Sequence, residues 1–335
     1  MKAMAVMLLF LAPFVSSKEP EAIDVNIGNL TIGNPITYKN LTIFPLTRHL
    51  MPSTDYVSFD EAMRKNWLTI KEIDNGEVNA VQLKNSGDRV VFIMTGEMLS
   101  GAKQDRMVKD DILIPAKSDW LEVPVYCVEH GRWVSVSPAF KSSELMAPNE
   151  LRNRARITED QSEVWDAIAS SQDRLGIASS TRTAQANYED EATKAQITEY
   201  TKALGHVPRL TKNTVGICVT TGDRIICIDV FANNGLLMKY WSKLLKSYVL
   251  DAIHETESIV RKDEIQGLLD TLPHAHCVSV GTPGLGDLYK IENDFGKGSA
   301  LIHKDKLVHM DFFVSDLPLD AEWRLDMRRE QRLND

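Results

Sequence analysis

The chain is short of cysteine, of net positive charge and of long apolar runs, and each shortage excludes something. Four cysteines stand among 335 residues, and none comes directly after the apolar N-terminal run, which argues against a lipid-anchored protein. Lys and Arg number 38 against 47 Asp and Glu, for a formal net charge of −9. A sequence-independent grip on nucleic acid needs cations to neutralise phosphates, so no nucleic-acid partner is expected. Past the first residues no apolar segment approaches the roughly 20 residues that span a bilayer, because every helical candidate carries charges. Low-complexity tracts are missing, and the only echo, Asn29-Leu-Thr-Ile at Asn40-Leu-Thr-Ile, reads as two short local strands. What is there, 43% hydrophobic and 25% charged, suffices for a substantial core.

The first residues have the anatomy of a cleavable export signal. Met1-Lys2 precedes an apolar run from Ala3 to Val15, and Ser16-Ser17 leads into Lys18-Glu19. Val15 and Ser17 satisfy the small-residue rule, so a signal peptide over 1–17, cleaved after Ser17, is expected, with a retained membrane anchor as the competing reading. The expected location is periplasmic or extracellular, with no membrane contact after cleavage.

From there the pattern predicts an α+β fold: largely antiparallel sheet in the first half, helices in the middle, and strands flanking a long amphipathic helix. A strand is expected over Leu41–Leu46 and a short helix over Phe59–Lys65, opened by the Ser58/Glu61 capping box. Leu68–Ile73 and Val78–Leu83 alternate around Asn75-Gly76, a hairpin signal. Further strands are predicted at Arg89–Thr95, Asp111–Ile114, Val123–Val128, Val215–Val219 and Ile225–Phe231. Three more are placed near Asp287–Ile291, Ser299–His303 and Leu307–Phe313. Thr158 with Gln161 reads as a second capping box before the stripe Val164, Trp165, Ile168 and Leu175. A polar helix is expected over Glu189–Leu204, after a loop at Ser179–Ala186. Leu237, Trp241, Leu244, Leu245, Tyr248, Val249 and Ala252 share one helical face, with Lys239, Lys243 and Lys246 off it. One domain over 36–316 is expected, with a candidate subdomain boundary near 205–212. The charged tail, 317–335, reads as a surface helix or a frayed end.

Cys218 and Cys227 flank Thr220-Thr221-Gly222-Asp223. With Gly222-Asp223 as a two-residue loop they face each other in a non-hydrogen-bonded pair, within disulfide reach; a Thr221-Gly222 loop removes that pairing. Two buried thiols is the competing reading. Gly281-Thr-Pro-Gly-Leu-Gly286 and Gly296-Lys-Gly-Ser299 lack the context of phosphate loops and read as turns.

Two stretches carry most of the chemistry. Gly96 to Arg106 packs two glycines, two acids, two bases and an amide into eleven residues. Continuing the alternation of Val91, Ile93 and Thr95, Glu97 points inward, where a carboxylate needs a partner; Lys103 and Arg106 are near in sequence. In the functional reading Glu97 is an acid/base and Lys103 and Arg106 clamp an anion; in the other, they form a structural ion pair. Cys127-Val-Glu129-His-Gly131-Arg132-Trp133 places Glu129 and Arg132 at a strand end, suited to a ligand rim, with Cys127 a buried structural thiol. Asp229 and His309 lie in apolar strands as core polar groups needing partners. His274-Ala-His276-Cys277 has no second motif with metal spacing, so no metal is expected. The basic residues Arg152, Arg154 and Arg156 read as solvated surface.

Gly96-Glu97 to Arg106 and Pro124 to Trp133, continued by Asp160-Gln-Ser-Glu-Val-Trp165, Ile228-Asp-Val-Phe231, Gly298-Ser-Ala-Leu301 and His309, resemble an uncharacterised family. It is the ADP-ribosylglycohydrolase- and rhodanese-phosphatase-associated protein domain, and the likeness runs from about Ile43 to Phe313. The resemblance implies that Glu97, Lys103, Gln104, Arg106, Cys127, Glu129, Arg132, Asp229 and His309 occupy family motif positions, and it points to nucleotide- or ADP-ribose-related chemistry. It names no cofactor. Cys218 and Cys227 lie outside the pattern.

Three functions compete. The first is a hydrolase of a phosphate- or sugar-containing small molecule, with Glu97 or Glu129 as general acid/base. Lys103, Gln104, Arg106, Arg132, Asp229 and His309 would contact its anionic ligand. The second is a non-catalytic module binding such an anion, and the third an envelope scaffold. The first two need Glu97, Arg106, Glu129 and Arg132 to meet in one hollow. Substrate and oligomeric state are left open.

Overall fold

A computed structural model describes residues 29–49, 54–74 and 76–315. The expected signal peptide, the charged tail and Asn75 lie outside the described residues. The fold is α+β, with mostly antiparallel sheets in the N-terminal half and helices in the middle.

Its backbone is a nine-stranded antiparallel sheet. The order is Thr31–Ile32, Leu41–Thr47, Thr214–Thr221, Arg224–Phe231, Lys306–Val314, Gly296–His303, Asp287–Asn293 and His276–Val280, with Ile36–Tyr38 beside Leu41–Thr47. Strands from the first 47 residues thus join strands from beyond residue 213 in one sheet, and the first core cluster runs from Leu41 to Phe313. A six-stranded sheet takes Phe140–Met146, Glu97–Gly101, Arg106–Val108, Leu121–Cys127, Ala80–Asn85 and Leu68–Glu72 in that order. A small third sheet joins Ile112–Ile114, Val91–Ile93 and Val57–Ser58, the last pair parallel. One apolar cluster covers each face of the large sheet, and a third fills the space around Phe59 and Ile70.

The long helix Asn234–Ala252 starts at Asn233, whose side chain accepts from the Leu236 amide. It buries Leu237, Trp241, Leu244, Leu245, Tyr248 and Val249. Each such side chain contributes about 1.5–3 kcal/mol on leaving water. The helix packs on Thr214–Thr221 on one side and on Phe140–Met146 on another. That double contact corrects one expectation: Lys243, placed off the apolar face, is 5% exposed, because the second face of the helix also meets sheet.

Other expectations change as well. Ser58 and Glu61 form the capping box before Phe59–Arg64. The helix Gln161–Leu175, by contrast, is capped by Asp160, which accepts from the Ser162 and Glu163 amides, and not by Thr158. Thr158 instead ends a separate helix, Asn149–Thr158, that the sequence pattern did not reveal. That helix buries Arg152 and Arg156, at 3% and 5% exposure, so only Arg154 of the three arginines keeps to the surface. The Leu68–Glu72 and Ala80–Asn85 hairpin closes at Glu72 opposite Val81, leaving a connection longer than two residues. The strand before Glu97 does not continue into it. Val91–Ile93 ends, Gly96 turns the chain at φ +86°, and Glu97 begins a strand in another sheet. A Cβ at Gly96 would also sit 2.9 Å from Arg152 Cδ and Met146 Sδ, so the turn needs glycine twice over.

The cysteine hairpin has the Gly222-Asp223 loop of the two considered, with Thr221 opposite Arg224, but its register slips between Val219 and Thr220. Cys227 therefore faces Val219, and Cys218 faces Ile228. The two thiols point to opposite faces of the sheet, into different clusters, and all four cysteines are free. One bulged residue removes the disulfide geometry.

Candidate active site

The strand ends that follow Gly101 and Cys127 converge. Arg106 pairs with Cys127 across neighbouring strands, which sets Asp105 beside Val128 and Glu129. Gly101 turns at φ +114°, and its amide donates to Asp105 Oδ1 at 3.1 Å. The Asp105 amide donates to Glu129 Oε2 at 3.0 Å. Arg132 Nη2 then donates to both carboxylates, to Glu129 Oε2 at 2.5 Å and to Asp105 Oδ1 at 3.2 Å. A bridge between Glu129 and Thr183 brings in the Ser179–Ala186 loop, whose Thr183 hydroxyl donates to Asp105 Oδ2 at 2.9 Å.

Above this floor opens a hollow of about 390 Å³. Asp105, Arg132 and Thr183 line it, with Ser137, Lys141 and Glu189 toward the rim. The loop that supplies Arg132 also carries Trp133, Val134 and Val136, all at least half exposed to solvent. Lys103 Nζ sits over the Trp133 ring, 5.0 Å from its centroid.

The two carboxyl groups are pushed apart in acidity. Burial raises Asp105 above the usual carboxylate range, and the neighbouring Glu129 charge adds to it. Burial acts on Glu129 too, but the Arg132 guanidinium and the Asp105 amide outweigh it and hold Glu129 low. Two carboxyls with opposite shifts thus share one guanidinium, Asp105 lining the hollow and Glu129 buried behind it.

Of the residues singled out in sequence, Arg132 lines this hollow and Glu129 holds it from behind. Gln104 and Arg106 form the layer behind: Gln104 Nε2 donates to the Glu129 carbonyl at 2.8 Å, and Arg106 Nη1 donates to Gln104 Oε1 at 3.3 Å. Arg106 is fully buried and does not line the hollow. Cys127 is buried, and burial raises its thiol above the ordinary value, which suits a packing role.

Glu97 stands elsewhere. Its partner is neither Lys103 nor Arg106 but Lys243, whose Nζ lies 2.7 and 2.6 Å from its two oxygens and 2.7 Å from Asp60 Oδ2. Burial pushes the Glu97 carboxyl up to about 8. Asp229 and His309 form a third, fully buried cluster. His309 Nδ1 meets Asp111 Oδ2 at 2.6 Å and Nε2 meets Asp229 Oδ1 at 3.2 Å; Arg152 Nη2 and the Tyr248 hydroxyl donate to Asp229. The four motif residues Glu97, Arg106, Glu129 and Arg132 therefore do not share one hollow.

Asp105 and Thr183 were not singled out. Asp105 lies inside the charged stretch beside Arg106, a signal that was visible; Thr183, in a polar loop far along the chain, left none. Among the described residues no group of three or more His, Cys, Asp or Glu could hold a metal ion, and no helix is long and apolar enough to cross a membrane.

No curated protein matches the chain, and no solved structure does. Residues 29–313 match the ARG and Rhodanese-Phosphatase-superfamily-associated Protein domain, so the chain belongs to that family.

Proposed function

We propose that this chain is an exported hydrolase of a sugar-containing small molecule, with Asp105 as its proton donor and Glu129 as its fixed anion. One observation carries the reading: two carboxyls bound to the same guanidinium nitrogen, Asp105 lining an open hollow and Glu129 buried behind it, have acidities shifted in opposite directions. A protonated carboxyl can give its proton to the oxygen of a breaking glycosidic bond, while an ionised one behind it favours the positive charge developing on the sugar carbon. Water supplies the oxygen that replaces the leaving group.

The sugar half of the substrate is favoured over the phosphate half by the state of the cations on the floor, Lys141 at the rim being the lining cation that faces solvent. Arg132 Nη1 and Nη2 are spent on Ala102 and Val134 carbonyls and on the two carboxylates. Arg106 is sealed behind the floor. Hydroxyl-rich rings suit the rest of the lining: the Asp105 carboxyl, Thr183 and Ser137 for their hydroxyls, and Val136 for their apolar faces. Export rests on the Met1–Ser17 pattern.

The test pairs mass spectrometry of small molecules retained by the purified protein with a panel of p-nitrophenyl glycosides. Turnover of at least one glycoside is expected, falling about 10²–10⁴-fold in Asp105→Asn with an unchanged circular dichroism spectrum. Glu97→Gln, outside the hollow, leaves turnover of the folded protein unchanged. A binding module without turnover is the second reading, favoured by how completely Glu129 and Arg132 satisfy one another. Retained ligand with no turnover decides for it. Neither ligand nor turnover sinks both.

A further inference from the structure

Asp105 holds its two carboxyl oxygens in different company. Oδ1 meets two fixed donors, the Gly101 amide at 3.1 Å and Arg132 Nη2 at 3.2 Å. Among the described residues Oδ2 meets one group, the Thr183 hydroxyl at 2.9 Å. An amide and a guanidinium only donate, whereas a hydroxyl has one hydrogen and two acceptor positions. A proton on Oδ1 would therefore point at two other hydrogens. On Oδ2 it meets an oxygen able to turn from donor to acceptor.

Thr183 is held where it can make that turn. The Ser179–Ala186 loop is pinned to the strand end, the Gly131 amide donating to the Thr181 carbonyl at 2.8 Å and the Ala184 amide to the Val128 carbonyl at 2.9 Å. Gln172 Nε2 donates to the Thr183 carbonyl at 2.9 Å, and the Gln185 amide donates to Thr183 Oγ1 at 3.3 Å. One acceptor position of that oxygen is thus filled, which leaves one for a proton carried by Asp105. Thr183 also lines the hollow, so its own hydrogen has open space to turn into. The charged groups that Asp105 faces are Glu129 and Arg132, with Lys141 and Glu189 lining the hollow toward its rim. Glu129 Oε2 is already taken by the Asp105 amide and Arg132.

We propose that Thr183 is the positioning residue that keeps the exchangeable proton of Asp105 on Oδ2, donating to that oxygen when the carboxyl is ionised and accepting from it when protonated. Its use in catalysis rests on the hydrolase reading above. In that reaction the Oδ2–H bond breaks as the proton joins the leaving oxygen. The electron pair stays on Asp105, and the Thr183 hydroxyl turns back to donate. The proton lost by the attacking water restores the acid.

Carbon-13 NMR titration of the full chain, labelled only in its aspartate carboxyls, tests the placement; the Asp105 signal is identified by its loss in Asp105→Asn. Removing the hydroxyl withdraws a donor from the ionised form and an acceptor from the protonated form, and the charge-assisted bond is the stronger of the two. The Asp105 midpoint in Thr183→Val is therefore expected about one pH unit above that of the unaltered chain, and in Thr183→Ser within a few tenths of it. Thr183→Ala repeats the measurement if the valine variant does not fold. Where a glycoside turns over, the alkaline limb of its pH–rate profile moves up with the midpoint, because the acid must be protonated to act. An unmoved midpoint without the hydroxyl, or a serine variant that shifts as far as valine, overturns the proposal. If no glycoside turns over, the hydrolase reading falls and the titration still decides where the proton sits.

Discussion

Lys243 ends in a closed space between Glu97 and Asp60, with Ser142 donating to the far oxygen of Asp60 at 2.6 Å. Removing the lysine leaves the buried Glu97 and part-buried Asp60 carboxyl groups facing each other without their cation. Lys243→Met is therefore expected to cost about 3–5 kcal/mol, read as a lowered urea midpoint at unchanged slope. His309 makes a pH prediction. Burial disfavours its charge, but Asp111 and Asp229 outweigh that and lift its pKa to about 9 from 6.5. The imidazolium is favoured in the folded state, so its stabilisation is complete below pH 6.5 and is lost as pH rises through 9. The loss is on the order of 3 kcal/mol. Urea titrations across that window should show the decline, and His309→Asn should flatten it. Sequence showed that Glu97, Asp229 and His309 needed partners, since each sits in an apolar strand. It could not show which, because Lys243, Arg152 and Asp111 arrive from distant segments. The three arginines misled for the same reason: nothing local separates a helix that buries its cations from one that solvates them.

At the level of elements, strands and helices with strong local signals were legible, and the connections between them were not. Capping illustrates the difference. Thr158 and Asp160 both stand before the Gln161–Leu175 helix, yet Asp160 holds the Ser162 and Glu163 amides, while Thr158 donates to the Arg154 carbonyl. Asp160→Ala should cost about 1 kcal/mol in thermal or urea unfolding, and Thr158→Ala only a few tenths. Besides Asn149–Thr158, the elements that escaped the pattern include the helix Lys262–Thr271 and the strand His276–Val280. The strand is half exposed and carries a histidine and a cysteine, so neither alternation nor hydrophobic length marks it. The candidate active site was half legible. Glu129 and Arg132 were visible as a charged strand end, while the pairing of Arg106 with Cys127 that brings Asp105 to them belongs to the sheet register.

Across the whole molecule, Leu41–Thr47 lies between Thr31–Ile32 and Thr214–Thr221, so the first strands complete a sheet built mostly from the last third of the chain. Cutting the chain near 205–212 should leave two pieces that each lack an edge partner and part of the same core. Separately expressed, neither is expected to show a cooperative unfolding transition, whereas co-expression should restore one. The slipped register of the cysteine hairpin has an experimental use. Cys218 belongs to the cluster under Lys262–Thr271, and Cys227 to the cluster under the long helix, one residue step apart in the ladder. Each sulfur is thus a native reporter for a different interior. Alkylation followed over time in mild denaturant, with each site resolved by peptide mapping, would reveal which side of the sheet gives way first.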